Sequence, residues 1–176
     1  GFGPDHIRLS HPGEGLTCSS SQITVSACAN EDCSELFGDP VEVELTSPLD
    51  GWTPNPVTFT GTADVDLSVT QPSTVSLDAN AVAPSAQDPT RCFNGGAETC
   101  EMTFFDAGFV IDVPDHVSAA NTASTIAAVR KDEDSQQCVP GFSNVTRDVG
   151  LWSSYANPAT GSESVRVDSA TIAQTS

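Results

Sequence analysis

The chain has 176 residues, 24 acidic groups against 6 basic ones, and a formal net charge of −18. Five arginines and one lysine cannot assemble a basic patch, which excludes a nucleic-acid partner held by phosphate neutralisation and works against docking on anionic lipid. Abundant serine and threonine, with little leucine, lysine or methionine, is the composition of a β-rich extracellular module.

The segments read as short strands separated by turn residues. Residues 22–27 alternate, and Val41-Glu42-Val43-Glu44-Leu45 places apolar side chains on one face and acids on the other. Residues 57–60 follow a turn at Pro54 and Pro56, residues 63–69 alternate again, and residues 74–77 lead into a loop with Pro84 and Pro89. Residues 101–105 and 108–113 come next. Residues 118–130 are the best helical candidate, but the core from Thr125 to Arg130 reads at least as well as a strand. Further strands are expected at residues 148–152, 163–168 and 171–173. This spacing with turn signals predicts an all-β, immunoglobulin-like antiparallel β-sandwich. Parallel α/β is disfavoured, because no amphipathic helix separates the strands. No run of about 18 apolar residues spans a membrane, and no signal peptide is visible; the abrupt Gly1 start reads as a piece of something longer.

A faint repeat divides the chain. Pro4-Asp5-His6 recurs as Pro114-Asp115-His116, about one immunoglobulin-like domain later. The expected organisation is a first sandwich over residues 1–108 and a second module over 109–176. The second is short, because a complete sandwich of this type uses about seven strands and about 100 residues. An incomplete sandwich leaves an unpaired edge, which invites a strand from another chain. Residues 1–10 and 165–176 alternate in the way a donor strand requires.

Six cysteines at short spacings point to disulfides and hence to an oxidising compartment, although spacing alone leaves their connectivity open. Cys28 and Cys33 close a tight loop, and Cys92 and Cys100 close a hairpin with a Gly95-Gly96 tip. Cys18 and Cys138 then pair by elimination. The alternative is zinc, for which only Cys28 and Cys33 come near ligand spacing, with no histidine following them.

Several motifs together carry a family resemblance. They are Asp5-His6-Ile7-Arg8-Leu9, Gly15-Leu16-Thr17-Cys18, Val25-Ser26-Ala27-Cys28-Ala29, Arg91-Cys92-Phe93-Asn94-Gly95, Cys100-Glu101-Met102-Thr103-Phe104 and Asp106-Ala107-Gly108-Phe109. The match continues through Ile126-Ala127-Ala128-Val129-Arg130, Cys138-Val139-Pro140 and Tyr155-Ala156-Asn157-Pro158. The chain resembles the MshQ-like bacterial surface proteins of the mannose-sensitive haemagglutinin type IV pilus cluster, whose matching region is a domain of unknown function often found after a laminin-G-like domain. Members tend to carry a further cysteine around the Asn-Pro segment, where this chain has Tyr155 and Ala156. The resemblance implies an envelope or pilus-associated surface protein and no catalytic residues.

No Gly-x-Ser-x-Gly elbow is present, and the histidines His6, His11 and His116 fit no catalytic pattern, so no enzyme and no cofactor are expected. Asp64 with Asp66, Asp132-Glu133-Asp134, and the Asp5 and Asp115 pair lack a calcium-loop pattern; the first two groups read as solvated acids and the last as a repeated turn at the start of a strand, so no metal is expected. Trp52, Trp152 and Tyr155 are candidate stacking platforms for a sugar ring, although tryptophans at this frequency are more often core or loop anchors. The expectation is a non-enzymatic structural or adhesive module, secreted or displayed on a bacterial surface. Its expected partners are proteins or further copies joined at strand edges, with a glycan as the alternative partner of a carbohydrate-binding module.

Overall fold

The computed structural model describes residues 3–155 and 161–175, so Gly1, Phe2, Ala156, Asn157 and Pro158 of the motifs above lie outside the described residues. Two compact units result, Gly1–Phe142 and Ser143–Ser176. Residue 109, where the sequence reading begins its second module, falls on a strand of the first unit.

The first unit contains β1 (His6–Ser10), β2 (Glu14–Leu16), β3 (Ser21–Cys28), β4 (Val41–Ser47), β5 (Trp52–Thr53), β6 (Val57–Phe59), β7 (Thr62–Leu67) and β8 (Ser73–Ser76). It continues through β9 (Asp78–Ala83), β10 (Arg91–Asn94), β11 (Ala97–Glu98), β12 (Glu101–Phe105), β13 (Ala107–Asp112), β14 (Thr125–Lys131) and β15 (Cys138–Pro140). One sheet has the order β11-β10-β1-β3-β7-β5, and three-stranded sheets have the orders β2-β12-β8, β6-β4-β9 and β13-β14-β15. The architecture is all-β and immunoglobulin-like, and residues 118–130 hold no helix.

Alternation explains the layers. In β4, Val41, Val43 and Leu45 are buried while Glu42 and Glu44 face outward. Ile23 and Val25 of β3, Val65 and Leu67 of β7, Ala79 and Ala81 of β9, and Met102 and Phe104 of β12 join them in one core. Each large apolar side chain withdrawn from water in this way contributes about 1.5–3 kcal/mol. Sheet β13-β14-β15 contributes no residue to that core.

Not every pairing is antiparallel. The N-terminal strand is broken at Pro12-Gly13, and its halves join different sheets: β1 runs parallel to β10, and β2 runs parallel to β12. Gly13 takes a φ of +80° at the crossing, a conformation that favours glycine. His11 holds the crossing in place. Its Nε2 lies 2.7 Å from the Thr99 carbonyl oxygen, and its Nδ1 accepts from the Gly13 N–H at 3.1 Å. Both ring nitrogens are thereby engaged.

The second unit contains β16 (Trp152–Ser154), β17 (Arg166–Val167), β18 (Ala170–Thr171) and β19 (Ala173–Thr175). β16 pairs parallel with β19, and β17 pairs antiparallel with β18.

Candidate functional site

Strand register builds the most chemically varied surface of the first unit. In the parallel β1–β10 ladder Arg8 stands beside Arg91, and Leu9 beside Cys92. Leu9 and Cys92 point into the core, so Arg8, Arg91 and Phe93 emerge on the outer face. The Arg8 guanidinium carbon lies 4.3 Å from the Phe93 ring centre and that of Arg91 lies 5.4 Å from it, within cation–π range. The loop closed by Cys28 and Cys33 forms the facing wall. Arg91 donates from Nη1 to the Glu31 carbonyl at 2.9 Å, and Arg8 from Nη2 to the Asp32 carbonyl at 3.2 Å. The result is an open cleft of about 560 Å³ lined by Arg8, Asn30, Glu31, Asp32, Arg91 and Phe93.

The two arginines are used differently. Arg91 forms a fork with Glu98, at 2.7 Å and 3.0 Å, and this hydrogen-bonded pair raises the Arg91 pKa and lowers that of Glu98. Among the described residues Arg8 forms no ion pair, although the Asp32 and Glu98 carboxylates attract it, and its Nε–H is buried with no acceptor. Burial first, and then the Arg91 charge, pull its pKa below the usual arginine value. Asn30 and Asp32 stiffen the loop wall. Asn30 Nδ2 donates to Ser34 Oγ, while Asp32 Oδ1 accepts from both the backbone and the hydroxyl of Ser34, which lowers the Asp32 pKa.

The cysteines form three disulfides, Cys18–Cys138, Cys28–Cys33 and Cys92–Cys100, and no free thiol is left. His6 stands opposite Cys28 in the β1–β3 ladder, so one of its ring nitrogens and the two sulfurs lie within 4.8 Å of one another. This trio was invisible to a search for ligand spacing, because His6 precedes Cys28 by an entire strand pairing. With both sulfurs bonded to each other, neither is a thiolate that could hold zinc. The His6 Nδ1 is instead 2.7 Å from Asp5 Oδ1.

The remaining candidates are placed individually. Trp52 is only 7% exposed and its indole N–H donates to the Pro48 carbonyl at 2.9 Å, so its ring faces belong to the core. Trp152, in the second unit, is 69% exposed and offers an open indole face. Tyr155, in the same unit, is partly buried, with its hydroxyl donating to the Glu163 carbonyl and accepting from the Glu163 N–H. Asp64 and Asp66 are exposed on β7, and Asp64 accepts from the Thr24 hydroxyl. Asp132 accepts from the backbone and hydroxyl of Ser135, which lowers its pKa. The two Pro-Asp-His triplets differ: His6 is buried, whereas His116 sits exposed in a loop with Nδ1 2.9 Å from the Pro114 carbonyl oxygen. Dialysis against a chelator is expected to leave the melting temperature within about two degrees, whereas a larger fall would mean that these carboxylates hold an ion linked to folding.

The sequence matches two family models, and no curated protein matches it. Residues 5–85 match a domain of unknown function, DUF8613. Among solved structures, the D00-D0 domain of Intimin is similar at 16% identity and a TM-score of 0.40. That match covers 58% of this chain, and the chain spans half the length of that structure. Residues 89–176, half of the chain, match the first immunoglobulin-like domain of DUF6701, a domain of unknown function, and the chain belongs to that family.

Proposed function

We propose that the chain is a non-enzymatic structural module of a bacterial surface protein, of the pilus-associated MshQ-like kind, which works by joining strand edges with neighbouring modules. The observation that carries this reading is the sheet β13-β14-β15. Phe109, Val110, Ile111 and Ile126 are each about half exposed, although they lie on a sequence patterned for burial. β13 is the edge of its sheet, with apolar side chains open on both faces. An exposed apolar edge of this kind is a template for another strand. The three disulfides support placement in an oxidising compartment such as the cell surface or medium. No described helix is long and apolar enough to cross a membrane. The family's designation as a first immunoglobulin-like domain fits a module in a series.

Light scattering over a concentration series tests the reading. We expect species well above the 18.2 kDa chain, growing with concentration. A charge on the edge, Ile111→Lys, should return them to monomer. A monomer at every concentration, with the β13 amides protected from exchange, would overturn assembly through this edge.

A second reading, a carbohydrate-binding module, is favoured by the polar cleft at Arg8 and by the open face of Trp152.

A further inference from the structure

We propose that the cleft between the Cys28–Cys33 loop and strands β1 and β10 binds a sugar bearing a single carboxylate, with Arg8 as its anion-binding group. The inference rests on the carbohydrate reading and names its substrate class and site.

Charge is the first argument. The chain carries six basic residues in 176, and two of them occupy adjacent register positions in one cleft. Bringing two guanidinium groups against the same ring costs free energy unless anions offset it. Glu98 supplies that offset for Arg91. The Asp32 and Glu98 carboxylates attract Arg8 only at longer range, and burial and the Arg91 charge outweigh them; its single described hydrogen bond goes to a neutral carbonyl and it forms no ion pair among the described residues. A guanidinium held without an ion pair keeps donor capacity at its terminal nitrogens, and a carboxylate is the ligand group that satisfies a guanidinium best.

The rest of the lining selects a sugar acid over a polyanion. Glu31 and Asp32 stand on the opposite wall with their carbonyls on the two arginines, and their carboxylates disfavour a ligand with a second negative charge. The Asn30 amide adds a further polar group, and Phe93 supplies the apolar floor beneath the guanidinium groups. The net charge of −18 repels an acidic polymer at long range. A volume of about 560 Å³ falls in the range of small-ligand sites and suits one or two sugar rings. The wall is held by a disulfide and by two arginine–carbonyl bonds, so the cleft is largely formed before a ligand arrives.

The test is calorimetric titration of the whole chain with three probes: methyl glucuronide, methyl glucoside, and an N-acetyl-aspartate amide. The two glycosides share a ring and differ in the carboxylate. We expect the glucuronide to bind at least about tenfold more tightly than the glucoside, and Arg8→Met to remove that advantage. Phe105→Ala, on β12 and outside the cleft lining, should leave it unchanged. Should Arg8→Met fail to fold by circular dichroism, Arg8→Lys keeps the charge but not the fork, and should weaken glucuronide binding several-fold. Equal binding of both glycosides would keep the carbohydrate reading and overturn the acidic-sugar site. Aspartate binding as tightly as glucuronide would assign the cleft to protein carboxylates instead. No binding of any probe would overturn the acidic-sugar site, and glucuronide binding unaffected by either Arg8 variant would place the site elsewhere.

Discussion

Removing the Cys18–Cys138 bridge, by the double replacement Cys18→Ser/Cys138→Ser, is expected to destabilise the first unit by about 4–5 kcal/mol. The two cysteines are 120 residues apart, so the bridge restricts a large part of the unfolded chain. The loop between Cys28 and Cys33 spans a separation of only 5, and the same chain-entropy argument assigns it about 2 kcal/mol. The loss should also be uneven. Cys138 lies on β15, in the sheet that contributes nothing to the buried core, whereas Cys18 follows β2, whose partner β12 carries core residues. The bridge therefore fastens a sheet that hydrophobic burial holds only weakly. Hydrogen exchange should show β13, β14 and β15 opening first while β3, β4 and β7 stay protected. A stability loss of less than about 1 kcal/mol by urea titration, or uniform loss of protection, would refute this account.

Phe104→Ala is expected to cost about 3–5 kcal/mol, through lost burial and the cavity left behind. Phe104 is 1% exposed and packs in the core from β12. The next residue is the control. Phe105 is 44% exposed, because successive strand side chains point to opposite faces. Its replacement by alanine should cost less than about 1 kcal/mol on the side-chain burial argument. Denaturant titration of the two variants separates them. Equal losses would mean that β12 is not oriented as described. A large loss with an altered denaturant slope would point to a changed unfolded state rather than to a core cavity.

What the amino-acid sequence determined by itself was local. The alternation of Val41, Val43 and Leu45 against Glu42 and Glu44 specifies a strand with one buried face, because a strand has a period of two whatever it packs against. Thr125 to Arg130 likewise carries enough β-branched side chains to override its alanines and form β14. β9 escaped because Asp78-Ala79-Asn80-Ala81 has weak strand propensity. Ala79 and Ala81 are buried there because the register with β4 sets them beside Leu45 and Val43 on the core face. Other features were decided only by long-range pairing. β13 carries an apolar pattern that reads as core, yet its residues are half exposed, since burial needs an opposing layer and none covers them among the described residues. The turn-rich neighbours of Trp52 leave a core anchor and a surface platform both open, and it is the pairing of β5 with β7 that turns the indole into the core. The candidate site is the clearest case. Arg8 and Arg91 become neighbours because β1 runs parallel to β10, and Glu31 and Asp32 face them because Cys28 ends the strand paired with β1. Each of those contacts joins segments far apart in the chain, and local periodicity specifies which face a residue takes but not which strand it meets.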